Sequence, residues 1–342
     1  GLMTFVGRDI MFFSENPKAP RQQRWSFGIQ RLLPQRILLD VSYVGNRGTS
    51  LETGRAYRPL PLEYLSRSPF RDTAVINYLS EQVPNPFYPL LPGTGLAGQT
   101  VPRAYLLSSG NYAQFTGMGS TDFEGYSWYH SLQAKAERRF SSGWTFNIGY
   151  TWSKTMEAIT RLNGYLSPLA YQVADHDRPH RVTVSAIWEL PFGKGRALLG
   201  SSSGFLGKII GGWQVQGFYI GQGGQALSFG NVLFLGDIHN ITLPKGQRKP
   251  ERWFNTDAGF ERSSARQLSY NFRTFPERLS DVRGDGMNNW DLSVIKNTTV
   301  RENLRVQFRA EFLNALNHVM FADPNTSPTS SAFGQVTTQK GY

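Results

Sequence analysis

The densest cluster of chemically capable side chains is DHDRPH, at residues 175–180. Its two carboxylates and two imidazoles belong to Asp175, Asp177, His176 and His180. Histidines four residues apart, together with carboxylates, form a donor set that suits Zn²⁺. That spacing converges on a metal only in a helix, and Pro179 disfavours one. We therefore expect a junction between a loop and a strand, in which Arg178 and Arg181 pair with neighbouring carboxylates.

Two glycine-rich segments could bind ions or phosphates. DVRGDGMNNWD, at 281–291, has the Asp, Asn and Gly density of a calcium loop but lacks the alternating ligand positions and the late Glu. PGTGLAG, at 92–98, has the glycines of a phosphate loop without the following Lys-Ser/Thr pair. We interpret the first segment as a glycine-rich lead into a strand. No Ser/His/Asp arrangement stands out, so the sequence predicts no enzyme, no cofactor and no metal site.

Basic residues next to aromatic ones could bind single-stranded nucleic acid, whose bases stack on rings. The formal net charge of +11 also suits nucleic acid or an anionic membrane surface. However, Arg305 and Arg309 lie on the opposite face of a strand from Phe308. Because a stacking platform needs both on one face, we expect no nucleic-acid partner.

The stretch WTFNIGYTW, at 144–152, shows what kind of element carries these side chains. Its large apolar residues are Trp144, Phe146, Ile148, Tyr150 and Trp152. The residues between them are small or polar, and side chains on a strand alternate between two faces. The stretch therefore predicts a strand with one aromatic face and one polar face. In a membrane barrel the aromatic face would contact lipid, and the polar face, with Asn147, would line a watery lumen.

The same alternation recurs in eight segments. They lie near 22–33, 36–46, 126–139, 144–152, 181–190, 213–220, 289–297 and 304–314. Most have the nine to eleven residues, roughly, that a tilted membrane-spanning strand needs. Further candidates for a lumen-facing polar surface are Lys135, Glu137, Arg305, Gln307, Arg309 and Glu311.

The links between these segments alternate in length. Shorter links cover 34–35, 140–143, 191–212 and 298–303, whereas longer ones cover 47–125, 153–180 and 221–288. Membrane barrels have short periplasmic turns and long extracellular loops. This alternation therefore predicts antiparallel strands with the shorter links in the periplasm. The chain has no cysteine, which is compatible with an oxidising compartment, and it has no apolar run long enough for a transmembrane helix.

With these strands placed, the chain resembles the C-terminal barrel of Oar-like TonB-dependent outer-membrane receptors, which carry an N-terminal carboxypeptidase-regulatory-like domain. Segments that carry the resemblance include WSFGIQRLLPQRILLDVSYVGNRGTSL (25–51), DHDRPHRVTVSAIWELPFGKGR (175–196) and NNWDLSVIKNTTVRENLRVQFRAEFLNALNHVMFADPN (288–325). The resemblance implies a barrel of about 22 strands, closed by a separate plug domain. It also implies a TonB energy-coupling partner, reached through an N-terminal part that this chain lacks.

We therefore expect residues 1–342 to be an all-β, antiparallel transmembrane β-barrel domain, present as an open portion of a larger barrel without its plug. The first thirteen residues should hold part of a preceding strand, and residues 333–338 should begin a returning one. The expected location is the bacterial outer membrane, with the lipid bilayer as a partner. The expected function is binding and uptake of an unknown substrate. Two alternatives stay open, namely a surface adhesin or export-related barrel and a soluble β-sandwich.

Overall fold

The computed structural model describes residues 4–164, 166–202 and 204–341. The strands are β1 (Asp9–Phe12), β2 (Arg21–Leu33), β3 (Ile37–Ala56), β4 (Gln82–Pro84), β5 (Thr100–Pro102), β6 (Gly117–Ser141), β7 (Trp144–Ala158), β8 (Gln172–Val173), β9 (His180–Glu189), β10 (Trp213–Gln222), β11 (Ala226–Ser228), β12 (Arg278–Arg283), β13 (Met287–Arg301) and β14 (Leu304–Phe312). The helices are α1 (Thr73–Ser80), α2 (Arg103–Ser109) and α3 (Gly204–Ile210). None of the helices in the described residues is long and apolar enough to cross a membrane.

The eight strands predicted from alternation form one antiparallel sheet. Its order is β14-β13-β10-β9-β7-β6-β3-β2, so each long strand lies beside the one that follows it along the chain. Within the described residues β2 and β14 do not pair with each other, and the sheet is open. The predicted all-β, antiparallel fold of an incomplete barrel is therefore confirmed. Most of the strands are longer than predicted, reaching 25 residues in β6, whereas β14 ends two residues earlier, at Phe312.

The short links lie together at one end of the sheet, here called the turn end, and the long links lie at the loop end. The turn between β6 and β7 consists of Ser142 and Gly143, which have φ values of 54° and 87°. Two central residues with positive φ match the right-handed twist of the flanking strands, and glycine adopts such a φ without strain. The turn lies within the predicted link 140–143, of which only residues 142 and 143 fall outside the two strands.

The predicted links differ from the observed ones mainly at the loop end. The supposed link 47–125 is shorter, because β3 continues to Ala56 and β6 begins at Gly117. These extensions pair with each other well beyond the predicted strands. The link 191–212 contains helix α3, which strand alternation could not reveal.

The expectation for the N-terminus was wrong in one respect. The only strand among residues 4–13 is β1, and it pairs in parallel with Gly117–Ser120 of β6 rather than beside β2. Residues 1–3 and Tyr342 lie outside the described residues. The expected strand at 333–338 was wrong. This segment forms no strand and packs instead against buried aromatic side chains such as Phe254 and Phe260.

The main hydrophobic core lies at the loop end and not on the sheet. We call it the loop unit: residues 223–286 together with 320–340. The buried apolar residues that pack together in it are Leu227, Phe229, Val232, Ile241, Trp253, Phe254, Phe260, Phe275, Leu279, Val282 and Phe333. Phe333 makes edge-to-face contacts with Phe254 and Phe260, at centroid distances of 5.2 and 5.1 Å. The loop between β10 and β13 is therefore packed like a small domain.

Two glycine-containing segments, one after β10 and one before β13, connect the loop unit to the sheet and pack closely against each other. A Cβ on Gly224 would lie 1.9 Å from the carbonyl oxygen of Gly284, and one on Gly286 would lie 2.2 Å from that of Gln222. Both distances are far below contact distance, so only glycine fits. The glycines of 281–291 therefore serve close backbone packing before β13, in line with the expected lead into a strand. Asp285, which follows Gly284, accepts a hydrogen bond from the Phe321 backbone N–H at 2.9 Å.

A buried ion pair fastens the loop unit to β7. The side chain of Asp177 is fully buried, and its Oδ2 accepts a hydrogen bond from Arg283 Nη2 at 2.6 Å. Its Oδ1 accepts one from the Thr155 backbone N–H at 2.6 Å. Beside it, Arg278 donates to Glu157 Oε1 at 2.8 Å, and both of these side chains are largely buried. β7 and the loop that precedes β9 are thus joined to β12 through charges that lie more than 100 residues apart along the chain.

Asp177→Ala in the full-length protein should loosen the loop unit. Removing one partner leaves the Arg283 guanidinium, whose side chain is 14% exposed, without its carboxylate. Breaking a buried pair in this way costs about 3–5 kcal/mol. Hydrogen–deuterium exchange of peptides covering 226–233 and 250–262 should show correspondingly faster local opening.

Asp175→Ala is the matched control. Its carboxylate is 70% exposed and lies 4.0 Å from Arg278 Nε, so the loss should stay below about 1 kcal/mol. Equal exchange in the two variants would show that the Asp177–Arg283 pair does not hold the loop unit.

Candidate functional site

The polar face of the sheet gathers the residues that the sequence analysis selected. In the registered pairs, Glu137 lies opposite Asn147, and Asn147 lies opposite Ser185. Ser293 of β13 lies opposite Glu311 of β14 and opposite Gln216 of β10. Because facing residues point to the same side, Lys135, Glu137, Asn147, Arg305, Gln307, Arg309 and Glu311 share one face. The apolar set of β7 occupies the other face.

Three depressions follow one another along this polar face. The turn-end depression has a volume of about 640 Å³, the middle one about 330 Å³ and the loop-end one about 520 Å³. Asn147 lines both the turn-end and the middle depressions. Gln133 and Thr151 line both the middle and the loop-end depressions. Shared walls make the three depressions one continuous polar trough that runs from the turn end to the loop end.

Charges of both signs line the turn-end and middle depressions. Glu137 and Asp291 line the turn-end depression, and Asp40 and Lys135 line the middle one. Lys135 Nζ lies 2.6 Å from Glu137 Oε2, two residues along the same strand face. Such an exposed pair contributes less than about 1 kcal/mol. These groups therefore stay available to a solute and to water.

The loop-end depression is cationic. Its lining includes His176, Arg178 and Arg181, and none of the described residues that line it is Asp or Glu. The guanidinium of Arg178 donates to the carbonyl oxygens of Asp175 and Asp177, at 3.0 and 2.9 Å, which fixes its position. Arg181 is exposed and projects from the polar face of β9, opposite Thr151. The other lining groups are hydroxyls and amides, so this region suits a polar solute that carries negative charge.

The polar residues of β14 occupy the same face but lie outside the trough. Arg309 Nη1 lies 3.4 Å from Glu311 Oε1, and Gln307 donates to Asn297 Oδ1 at 2.8 Å. None of these side chains, nor Arg305, lines one of the three depressions. They sit at the edge of the sheet, whereas Lys135, Glu137 and Asn147 sit near its centre.

The opposite face of the sheet is apolar and uncovered. Phe27 is 71% exposed, Trp152 is 56% exposed and Phe308 is 60% exposed, although the three come from different strands. Ile148, Tyr150, Leu132 and Trp188 are exposed on the same face. Water-soluble monomers rarely expose apolar patches larger than a few hundred Å². Among the described residues, no second sheet packs on this face as it would in a soluble β-sandwich.

The DHDRPH motif has a structural role in this fold. Asp177 is buried against Arg283, and His180 stacks on Tyr150 of the apolar face. In the described part of the chain, no group of three or more His, Cys, Asp or Glu side chains could hold a metal ion. The expected partners of Arg178 were wrong, because it binds backbone carbonyls and Gln225 rather than carboxylates.

Sequence reasoning missed several residues of the trough. They include Gln133, Thr151, Arg181, Ser185, Gln216 and Ser293. The alternation that selected Asn147 also places each of them on the polar face, so this signal could have found them. The Asp177–Arg283 and Glu157–Arg278 pairs had no such local signal.

Several solved structures are similar to this chain at low sequence identity. Remote similarity, at 11% identity in each case, extends to three solved structures. The outer membrane transporter YddB from Escherichia coli has a TM-score of 0.47, with 94% of this chain and 32% of that chain covered. The FrpB iron transporter from Neisseria meningitidis has a TM-score of 0.42, with 96% and 31% covered. The FpvA of P. aeruginosa, bound to heterologous pyoverdines, has a TM-score of 0.36, with 92% and 26% covered.

The chain thus spans about a third, or less, of the length of these solved proteins. No curated protein matches the sequence. The model of the outer membrane beta barrel domain family matches residues 2–342, which is nearly the whole chain. A protein of this family lies in the outer membrane, which accounts for the uncovered apolar face. The chain therefore belongs to the outer membrane beta barrel domain family.

Proposed function

We propose that this chain forms part of the barrel of a TonB-dependent receptor that binds a polar solute and carries it across the outer membrane. The polar face of the sheet lines the lumen, and the apolar face contacts lipid. The observation that carries the proposal is the continuous polar trough, backed by an uncovered apolar face. The open edges of β2 and β14 pair with further strands of the same barrel.

The resemblance to Oar-like receptors supports the TonB-dependent assignment. In that family a plug domain fills the barrel and connects it to the energy-coupling complex. The carboxypeptidase-regulatory-like domain, the plug and the TonB contact belong to the parent protein outside this chain. The trough carries no catalytic role in this proposal, and the protein performs transport.

The chemistry of the trough favours a hydrophilic, anionic solute. The loop-end depression meets the solute first, and its charged groups are the cations Arg178 and Arg181 with the imidazole of His176. Hydroxyls and amides such as Thr151 and Gln133 provide donors and acceptors farther along the trough. Beyond them the charges become mixed, which weakens binding and favours release toward the turn end.

A second candidate function is surface adhesion. The loop unit gives the loop end a packed core, which is the kind of rigid platform that contact with another surface requires. An adhesin of this kind would use the loop unit and would leave the trough idle. Uptake and attachment assays on the same cells separate the two functions.

Charge should be tolerated on the polar face and not on the apolar face. Ile148 lies midway between Trp144 and Trp152, so an arginine there would sit near the middle of the bilayer. Ile148→Arg in the full-length parent should cost about 2–4 kcal/mol. Asn147→Arg should cost much less, because Asn147 lies on the polar face and its side chain points to water. Heat-modifiable migration on a gel measures the fraction of folded barrel for each variant. An equal loss of folded barrel in the two variants would refute the assignment of the two faces.

The turn end should be periplasmic and the loop end extracellular. Ser142→Cys places a thiol in the exposed β6–β7 turn, and Lys245→Cys places one in the exposed loop between β10 and β13. A membrane-impermeant maleimide on whole cells should label position 245 and spare position 142 until the outer membrane is opened. The reverse pattern would invert the topology.

Energy-dependent uptake tests the proposed function directly. Cells with the full-length receptor should deplete an anionic solute from a defined medium, and cells that lack either the receptor or TonB should not. Arg181→Gln should then weaken binding about tenfold, the loss expected from one hydrogen bond to a charged group. Arg305→Gln, on the same face but outside the trough, is the control.

Equal effects of the two substitutions would remove the loop-end depression from the transport path. Attachment of cells to a surface without any receptor-dependent depletion would favour the adhesin instead.

A further inference from the structure

Four aromatic side chains form a cage on the apolar face of the sheet, near the loop end. They are Trp25 of β2, Tyr43 of β3, and Trp128 and His130 of β6, and we call them the outer aromatic cage. His130 stacks on Trp128 at a centroid distance of 5.9 Å and on Tyr43 at 6.1 Å. Trp25 closes the cage, at 6.4 Å from Trp128 and 6.5 Å from His130.

The backbone is adapted to this cage. Gly45 faces His130 in the register of β3 and β6, and a Cβ on it would lie 2.3 Å from the indole ring of Trp25. The indole therefore fills the space that any other residue at 45 would occupy. Tyr43 Oη lies 2.7 Å from His130 Nδ1. When this hydroxyl donates, the imidazole proton lies on Nε2, and the exposed ring can offer that N–H to a ligand.

Positive charge lies over one ring of the cage. The guanidinium of Arg47 lies over the Trp128 ring, 4.7 Å from its centroid. Lys154 faces His130 in register, and its ammonium donates to Ser280 Oγ at 3.0 Å, which leaves two further protons. The residues that pair with the cage residues across β2, β3, β6 and β7 include no Asp or Glu in the described part of the chain. An anion would therefore meet attraction without a competing carboxylate.

Cations at the turn end of the same face are arranged differently. Arg138 is buried, donates to the Gln35 carbonyl oxygen at 3.0 Å and lies over the ring of Trp144. Lys296 donates to the carbonyl oxygens of Lys208 and Gly211. Those two cations satisfy the backbone of the turns. Arg47, in contrast, is exposed and forms none of the ion pairs among the described residues.

We propose that the outer aromatic cage binds the phosphorylated headgroup of a lipid in the outer leaflet of the membrane. Arg47 and His130 bind the phosphate, while the indoles of Trp25 and Trp128 lie at the level where headgroups meet acyl chains. Aromatic cages can also bind quaternary ammonium groups, but the guanidinium over Trp128 repels a cation. The inference rests on the proposed function in one respect, namely that the apolar face contacts lipid and the loop end lies outside.

Lipid binding to the purified full-length receptor tests this inference. The protein in an uncharged detergent is titrated with diphosphoryl lipid A, and native mass spectrometry counts the bound lipid. Arg47→Gln should weaken binding about fivefold, the effect of one basic side chain at a membrane surface. Arg47→Gln with His130→Phe should weaken it on the order of twentyfold, since a hydrogen bond is lost as well. Arg47→Lys keeps the charge and should retain most of the binding.

Arg24→Gln is the matched control, because Arg24 precedes Trp25 and projects from the polar face opposite Asn46. It should leave lipid binding unchanged. An equal loss for Arg24→Gln and Arg47→Gln would overturn the site, as would unweakened binding of lipid A that has been dephosphorylated. Displacement of the lipid by inorganic phosphate alone would show that a free anion, and not a lipid, is the ligand.

Heat-modifiable migration on a gel shows whether each variant folds. If Arg47→Gln folds poorly, the double variant's loss is compared with the binding of Arg47→Lys instead. The outcome is independent of transport. Normal lipid binding by a receptor that takes up no solute would count against the proposed function alone. Normal uptake by a receptor that binds no lipid A would count against the cage alone.

Discussion

The need to pair every backbone N–H and C=O within the sheet governs this structure. Inside a membrane no water can satisfy an unpaired backbone group, and each one costs several kcal/mol. Eight long strands meet that need by pairing each with the next one in sequence, through an antiparallel ladder with a few register shifts, such as those beside Leu51. Sequential pairing requires only short turns at one end, such as Ser142–Gly143, and leaves the other end free for long loops. The sheet, the two unequal ends and the trough all follow from this ladder.

The ladder also separates two environments with a single backbone. Successive side chains point to opposite faces, so β7 presents Ile148 to one side and Asn147 to the other. Repeated in register over eight strands, this alternation produces a continuous polar trough and a continuous apolar surface. Cations on the apolar surface are placed at its two ends, where Arg138 binds a turn carbonyl and Arg47 lies over Trp128. The surface thus changes character along the strand direction as a bilayer does along its normal.

The main cluster of buried apolar side chains lies outside the sheet, in the loop unit. Phe254, Phe260 and Phe333 are buried there, whereas the large apolar residues of the strands are largely exposed. This distribution is the inverse of a soluble β-protein, in which the sheet itself provides the core. The loop unit is held to the sheet by closely packed glycines and by the Asp177–Arg283 pair. It therefore has a fixed position beside the loop-end depression and shapes the approach to the trough.

The sequence alone determined the strands and their two faces, because alternation is a local property that the backbone imposes at every second residue. Lys135, Glu137 and Asn147 could be assigned to one face, and the eight strands to one sheet, before any coordinates were known. It could not determine how far β3 and β6 extend, because those extensions pair with each other and carry little alternation. Nor could it show that Asp177 binds Arg283 or that Trp25 packs on Gly45 against His130. Those contacts join residues far apart along the chain, and only the register of the folded sheet brings them within reach.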